Sequence, residues 1–180
     1  MGQQKIHALL GIEVHTRPLF PSRLGLFSEI YRKNNFIQEF TQDSFSLSEK
    51  KNTLRGMHFQ KQPLGQAKLV TVLKGSIMDF VIDIRKNSPT YKEYASIELS
   101  SDNGKMLFIP EGFAHGFKTL TKNTCVFYKL SNYYSPRHEI TLRWDDPTIG
   151  INWEEIGDVH MSDKDKDGKL FSTIEKDLSF

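Results

Sequence analysis

The sequence predicts an all-β fold, either an antiparallel sandwich or a barrel, with only short peripheral helices. Apolar and polar residues alternate through most of the chain between about residue 40 and residue 145, which is the period of a β-strand. Turn residues divide the alternating runs into many short segments, as in antiparallel sandwiches and barrels. Aromatic residues make up 12% of the 180 residues, and they favour sheets. A chain of this length fits one domain, so residues 1–180 are predicted to form a single β-domain.

The clearest strand spans residues 76–85. Its two faces are predicted to carry, on one side, Met78, Phe80, Ile82 and Ile84 and, on the other, Asp79, Val81 and Asp83. Further strands are predicted at residues 67–73, 94–100, 105–109, 116–120, 124–130 and 140–144. Helix is predicted only as a short turn near residues 32–38 and as another in the tail. This tail, residues 161–180, is polar, and we expect it to wrap the outside or the mouth of the barrel.

Composition excludes several classes of protein. The formal net charge is only +2 and the lysine and arginine residues are scattered, so nucleic acid binding is not expected. Cys125 is the only cysteine, which excludes an intramolecular disulfide and a thiolate metal cluster. The apolar runs are too short for a signal peptide or a membrane span. We therefore expect a cytoplasmic protein that contacts neither a membrane nor nucleic acid.

One segment has the spacing of the second cupin motif. It starts at Gly104 and places Pro110, Gly112 and His115 at the motif's intervals of five, one and two residues. Pro110 and Gly112 predict a tight turn that leads into a strand, and this strand carries His115 towards the interior. The sequence therefore predicts a double-stranded β-helix, the cupin jelly roll.

The usual metal ligands of a cupin are missing. The first cupin motif would supply two more histidines and a glutamate, but the corresponding residues 56–60 contain only His58. The asparagine usual in the second motif is Thr119. A metal site normally needs three or more N, O or S ligands, so no metal is expected. From spacing alone, His58 and His115 are equally well explained as hydrogen-bonded interior histidines.

Several segments, taken in order, resemble the dTDP-4-dehydrorhamnose 3,5-epimerase family. Two of them are Leu54-Arg-Gly-Met-His58-Phe-Gln60 and Ile109-Pro-Glu-Gly-Phe-Ala-His115. The others are residues 66–70, 83–90, 127–129, 133–136 and 143–147. The similarity runs from residue 23 to residue 165, nearly the whole chain. Each segment alone is moderately specific, but their shared order is highly specific.

This resemblance implies an isomerase that inverts C3 and C5 of dTDP-4-dehydro-6-deoxy-D-glucose and yields dTDP-4-dehydro-L-rhamnose, a step towards dTDP-L-rhamnose. The nucleotide-sugar would lie in the mouth of the barrel. A proton next to a ketone is acidic only if the enolate is stabilised as it forms, and inversion needs a base and an acid on opposite faces of the ring. Because the substrate's own ketone acidifies both carbons, no cofactor is expected.

The family pattern assigns four residues to this chemistry. His58 would be the base, since histidine side chains titrate near the pH of the cytoplasm. Asp165 would hold the far ring nitrogen of this histidine, as the aspartate does in protease triads. Lys68 would place a positive charge near the 4-keto oxygen, and Tyr128 would donate a proton from the opposite side. The residues alone also allow a solvated lysine and an ordinary core tyrosine.

The same pattern implies residues that bind the substrate. Arg55 and Arg23 would pair with the diphosphate, where a guanidinium fork fits best. His115 would hydrogen-bond the substrate, Tyr134 would pack near the nucleobase, and Glu139 would accept hydrogen bonds from nucleoside groups.

The chain departs from the family pattern in two places. Gln42 matches a family glutamine near the phosphates, but the usual Gln-x-Asn reads Gln42-Asp43-Ser44. The usual Asp-x-Arg-Gly-x-Phe corresponds to residues 22–27, which contain one extra residue. These departures leave the nucleobase and the exact phosphate ligands open, while the catalytic set is intact.

The resemblance also implies a homodimer whose N-terminal strands cross to the partner. Three other interpretations stay open. A 3-epimerase uses the same histidine and tyrosine at one carbon only. A non-catalytic cupin that binds a sugar nucleotide would keep the arginines but has no need for His58, Lys68 and Tyr128 together. A metal-dependent cupin oxygenase or isomerase would need ligands that this sequence lacks.

Overall fold

The computed structural model describes Ile6, Leu9 and residues 11–153 and 159–180. In this part of the chain, twelve β-strands and two short α-helices are present. The strands are β1 (Glu13–Thr16), β2 (Phe20–Ser22), β3 (Gly25–Phe27), β4 (Gln42–Ser48), β5 (Leu54–Gln60), β6 (Lys68–Lys74), β7 (Ser76–Asp83), β8 (Tyr94–Ser100), β9 (Lys105–Ile109), β10 (Phe113–Thr119), β11 (Thr124–Leu130) and β12 (Glu139–Thr141). The helices are α1 (Asp163–Lys166) and α2 (Phe171–Ile174), and 3₁₀ turns lie at Lys33–Asn35 and Glu175–Asp177.

Ten of these strands form two five-stranded antiparallel sheets. Sheet 1 has the order β1-β9-β6-β11-β4 and sheet 2 the order β12-β5-β10-β7-β8, while β2 and β3 form a separate hairpin. From β4 onwards the chain passes from one sheet to the other after nearly every strand. This connectivity is that of a jelly roll, and the predicted double-stranded β-helix is confirmed.

Apolar side chains fill the space between the sheets and also cover the outer face of sheet 2. The inner cluster joins Val126 of sheet 1 to Phe117 of sheet 2. The outer cluster joins Phe80 of sheet 2 to Phe171 and Leu178 of the tail. Burial of such apolar area is the main favourable term in folding. The tail therefore covers the outside of the barrel by packing its apolar residues against sheet 2. Charged residues lie between these apolar residues in the sequence.

Because both faces of sheet 2 are covered, β7 has no side that faces solvent. Asp79 and Asp83 are both fully buried. Asp83 accepts hydrogen bonds from Arg85, Ser88 and Thr90, which satisfy a carboxylate that would otherwise be costly to bury. The side chains of β7 therefore alternate as predicted, but the row that contains Asp79 and Asp83 is buried inside the protein rather than exposed to solvent.

Some boundaries differ from those predicted. The strand that carries His115 begins at Phe113, three residues before the predicted start, because the turn ends at Gly112. This glycine has a φ of 84°, which only glycine adopts without strain. The strand predicted at residues 140–144 is the three-residue β12, and the helix predicted near residues 32–38 is a single 3₁₀ turn. Within the described ranges, no helix has the length and apolar character to cross a bilayer.

Candidate active site

A pocket between the two sheets contains most of the residues predicted to act on the substrate. Lys68 and Tyr128 come from sheet 1, and His58 and His115 come from sheet 2. The full lining is Ser46, Arg55, His58, Phe59, Gln60, Gln66, Lys68, His115, Gly116, Phe117, Tyr128, Leu130, Tyr134 and Glu139. A few convergent polar groups beside a largely apolar interior are the usual composition of a ligand site.

A β-bulge explains why Arg55 and His58 both face this pocket. Residues three apart on a regular strand point to opposite faces. In the pairing of β5 with β10, however, His58 lies opposite His115 and Arg55 opposite Phe117, so three steps on β5 span two on β10. Bulges beside active sites commonly re-aim side chains in this way. Gly56 permits the bulge, since a Cβ at this position would clash with the backbone of β10.

His58 and Asp165 form the hydrogen-bonded pair that the family pattern predicts. His58 Nε2 lies 2.6 Å from Asp165 Oδ1, and Asp165 belongs to α1 in the tail. Ser162 caps this helix and donates to Asp165 Oδ2 at 2.7 Å. Burial pushes the pKa of Asp165 upwards, but the hydrogen bonds from His58 and Ser162 hold it below its usual value. The carboxylate is therefore ionised at neutral pH, and His58 Nδ1 is the ring nitrogen that remains for the pocket.

Lys68 is buried next to this pair. Its Nζ donates a hydrogen bond to the main-chain oxygen of His58 at 3.1 Å. Burial lowers the pKa of Lys68 to about 8, and the negative charges of Asp79 and Glu139 limit the fall. The ammonium is therefore still charged at pH 7, and its field is weakly screened inside the protein. It is placed to stabilise a negative oxygen that forms beside His58.

Tyr128 and His58 lie on opposite walls of the pocket. Tyr128 belongs to β11 of sheet 1, whereas His58 belongs to β5 of sheet 2. The Tyr128 ring packs against the inner cluster, with its centroid 6.4 Å from that of Phe117. Burial raises the pKa of Tyr128, so the phenol keeps its proton at neutral pH. A side chain that can accept a proton and one that can donate a proton thus reach the pocket from two different sheets.

The sequence-based prediction missed Asp79, which pairs with His115. Asp79 Oδ2 lies 2.9 Å from His115 Nε2, and both residues are buried. Burial raises the pKa of Asp79 and lowers the pKa of His115, so the interior disfavours the charged form of each. Asp79 Oδ1 has no hydrogen-bond partner among the described residues, and the carboxyl interacts electrostatically with Lys68. A polar residue on the inward face of a strand was the signal that could have identified it.

Three glutamine side chains hold the loop that carries Tyr134. Gln42, Gln60 and Gln66 each hydrogen-bond to the backbone of residues 132–135, at donor–acceptor distances from 2.6 to 3.1 Å. A side-chain amide can donate and accept hydrogen bonds at the same time. It can therefore pair with backbone groups of a loop that is not hydrogen-bonded to a neighbouring strand. The structure places the Gln42 amide against this loop rather than in the pocket lining.

Tyr134 and Glu139, the two residues predicted to bind the nucleoside, contact each other. The Tyr134 hydroxyl donates to Glu139 Oε2 at 2.7 Å, and Lys164 donates to the same oxygen. Burial pushes the pKa of Glu139 upwards, but these two hydrogen bonds keep it below its usual value. Lys164, which the sequence-based prediction did not include, therefore brings a second charge from α1 to this side of the pocket.

The two arginines predicted to bind the diphosphate lie in different parts of the structure. Arg55 lines the pocket, and its Nε donates to Ser48 Oγ at 3.3 Å. Arg23 lies in the turn of the exposed β2–β3 hairpin and is not part of the lining. Its neighbours Leu24 and Phe27 are 100% and 69% exposed. Within a single chain, the structure does not bring Arg23 to the other predicted site residues.

Comparison with known proteins identifies the family. The family model described as dTDP-4-dehydrorhamnose 3,5-epimerase matches residues 7–173. The chain belongs to this family. A dTDP-4-dehydrorhamnose 3,5-epimerase from Sinorhizobium fredii is 44% identical over 146 residues, which are 78% of this chain and 75% of that protein.

Solved structures of other epimerases share the fold. The dTDP-4-dehydrorhamnose 3,5-epimerase of Bacillus anthracis, with TDP and PPi bound, has a TM-score of 0.84 at 39% identity and covers 89% of this chain and 94% of its own. The dTDP-6-deoxy-D-glucose-3,5-epimerase of Legionella pneumophila, in complex with dTDP-4-keto-L-rhamnose, has a TM-score of 0.87 at 35% identity, with coverage of 93% and 91%. In the described part of this epimerase-family chain, no three His, Cys, Asp or Glu side chains are grouped as metal ligands.

Proposed function

We propose that the chain inverts C3 and C5 of dTDP-4-dehydro-6-deoxy-D-glucose and forms dTDP-4-dehydro-L-rhamnose. The observation that carries this proposal is the position of His58 and Tyr128 on opposite walls of one pocket, with the Lys68 ammonium beside the histidine. Inversion requires that a proton leaves one face of a carbon and returns to the other. A base and an acid on one wall would exchange hydrogen without inverting the carbon. Membership of the epimerase family supports the same reaction.

In the proposed mechanism, His58 Nδ1 takes the proton from a carbon next to the ketone. The electron pair of that C–H bond forms the enolate, whose charge collects on the 4-keto oxygen. Lys68 stabilises this oxygen, and such preorganised electrostatic stabilisation is commonly the largest catalytic term. Asp165 orients the imidazole and balances its positive charge. Tyr128 then gives its proton to the opposite face of the carbon, and the second carbon reacts in the same way after both groups have exchanged protons with water.

The proposed substrate is a thymidine diphosphate sugar. The Bacillus anthracis relative holds TDP and PPi, and the Legionella relative holds dTDP-4-keto-L-rhamnose. In this chain Arg55 would pair with the diphosphate, because a guanidinium offers several donors in a fixed plane. Tyr134 would pack near the nucleobase, Glu139 would accept hydrogen bonds from the nucleoside, and His115 would hydrogen-bond the sugar.

A second copy of the chain completes the site in this proposal. Phe45 and Leu47 are 72% and 54% exposed on the outer face of sheet 1, and neighbouring exposed apolar side chains mark protein contacts. Arg23 would reach the diphosphate only from the hairpin of a neighbouring copy. Sedimentation of the purified protein should give twice the chain mass, and Arg23→Ala should weaken dTDP binding. A monomer that binds dTDP equally well with and without Arg23 would refute this arrangement.

Deuterium labelling tests the proposed reaction. Each inversion transfers a hydrogen to His58 and returns one from Tyr128, and both groups exchange with water between turnovers. In D2O, with a reductase that consumes the product, a 3,5-epimerase should give product that carries deuterium at both C3 and C5. The label at each carbon is measured by NMR and mass spectrometry.

The outcomes separate the proposed function from its alternatives. Deuterium at C3 alone would identify a 3-epimerase. Deuterium at neither carbon, under conditions where binding of the dTDP-sugar is demonstrated by calorimetry, would leave a non-catalytic sugar-nucleotide-binding cupin. Labelling that disappears on treatment with EDTA and returns with a divalent ion would indicate a metal-dependent enzyme.

A further inference from the structure

Ser46 contacts the hydroxyl of Tyr128. The two oxygens are 2.9 Å apart, and the described residues offer this phenol no other hydrogen-bond partner. Ser46 lines the same pocket and lies on β4, which pairs with β11 so that Ser46 is opposite Val126 and Ser44 is opposite Tyr128. The two hydroxyls therefore meet diagonally across adjacent strands, in a geometry that the sheet ladder fixes.

Burial of Tyr128 opposes its ionisation. Its ring packs against the inner apolar cluster, including Phe117, and burial raises its pKa while the Ser46 hydrogen bond and the positive charge of Arg55 act the other way. Yet a tyrosine that protonates a carbon becomes a phenolate at that moment. An anion in apolar surroundings is costly unless a hydrogen bond compensates it. Ser46 is the neighbouring group that can donate this bond.

We propose that Ser46 is a positioning residue for Tyr128 and that the Ser46 hydroxyl donates its hydrogen bond to the phenolic oxygen of Tyr128. This bond directs the phenol proton towards the substrate and stabilises the phenolate once the proton has moved to carbon. The inference rests on the proposed epimerase function. In the step, the Tyr128 O–H bond breaks, and the enolate electron pair forms the new C–H bond. Water then returns a proton to Tyr128 while His58 releases its own, and Ser46 keeps its proton throughout.

The test compares two rates in the same D2O sample of the Ser46→Ala variant. One is deuterium exchange into recovered, uninverted substrate, which needs His58 and Lys68. The other is formation of inverted product, which also needs Tyr128. Loss of a hydrogen bond to a charged group should lower inversion by about tenfold to a hundredfold. Exchange should change far less, so the ratio of exchange to inversion should rise by nearly the same factor. This ratio does not depend on the fraction of folded protein.

Two matched variants complete the experiment. Ser46→Thr keeps a hydroxyl at the same position and should restore the wild-type ratio. Ser44→Ala removes a hydroxyl from the same face of β4, but this hydroxyl accepts a hydrogen bond from Gln42 rather than contacting Tyr128. The ratio for Ser44→Ala should therefore match that of the wild type.

Each remaining outcome overturns the inference. An unchanged ratio in Ser46→Ala would show that Tyr128 needs no such donor, and inversion by the wild type would leave the epimerase function standing. Failure of threonine to restore the ratio would assign the effect to shape rather than to the hydroxyl. A wild-type protein that neither exchanges nor inverts would remove the proposed function and this inference together.

Discussion

Replacing His58 with asparagine should lower the turnover of the epimerase by several orders of magnitude while the protein stays folded. General-base catalysis alone contributes roughly 10²–10⁴-fold, and the proposed mechanism assigns no other residue to remove the proton next to the ketone. Asparagine is smaller than histidine and keeps a polar group near the position of Nδ1, so the barrel should stay folded although the Nε2 hydrogen bond to Asp165 is lost. The kcat of the variant is measured with the coupled reductase, and circular dichroism checks the fold.

Two companion variants define the meaning of this loss. Asp165→Asn keeps the base but removes the charge that orients it, so it should lower kcat less than His58→Asn does. Within the Asp165→Asn variant, kcat should change more than substrate binding. His160→Asn changes an exposed histidine just before the tail and should leave kcat unchanged. A loss of less than about tenfold in His58→Asn would exclude this residue as the general base.

Replacing Tyr128 with phenylalanine should separate exchange from inversion. The base and the enolate-stabilising lysine remain, so deuterium should still enter the substrate in D2O. Inverted product should fall by roughly a hundredfold or more, because the proton donor on the opposite wall is gone. The ring keeps its packing against Phe117, so the stability of the barrel should change little. NMR of recovered substrate and of product gives both rates.

The control for this variant is Tyr91→Phe. Tyr91 donates its hydroxyl to Glu175 on the tail side of the molecule, outside the pocket lining. Its loss should leave the ratio of exchange to inversion unchanged. If Tyr128→Phe inverted both carbons at the wild-type rate, the returning proton would have to come from another donor, such as water held in the pocket.

Sequence patterning predicted the strands that carry Lys68 and Tyr128, because each keeps a period of two, but it did not predict β5, the strand that carries His58. Val126, Tyr128 and Leu130 are spaced two residues apart in the predicted strand, and all three lie on the inward face of β11. The turn before His115 followed from Pro110 and Gly112 in the same way. Strand alternation and turn formation both depend on residues that are close in the sequence, so the sequence can predict them.

The alternation of apolar and polar residues could not predict contacts that depend on an irregular strand or on distant parts of the chain. Regular alternation would place Arg55 and His58 on opposite faces, and only the bulge at Gly56 brings them to one pocket. The pairing of Asp165 with His58 joins positions 107 residues apart, and the family resemblance rather than the residues themselves predicted it. Arg23 lies on a hairpin whose position relative to the pocket depends on contacts outside one chain.

The docked tail makes activity and global folding two separate properties of this molecule. The barrel supplies His58, Lys68 and Tyr128, but α1 supplies Asp165 from the part of the tail that lies between two isolated bridges, Thr53 to His160 and Leu142 to Lys169. Proteins open locally at a lower free energy than they unfold as a whole. Detachment of this segment would remove Asp165 from His58 while both sheets stay intact. Heat inactivation is then expected to precede the cooperative melting of the sheets and to be reversible on cooling.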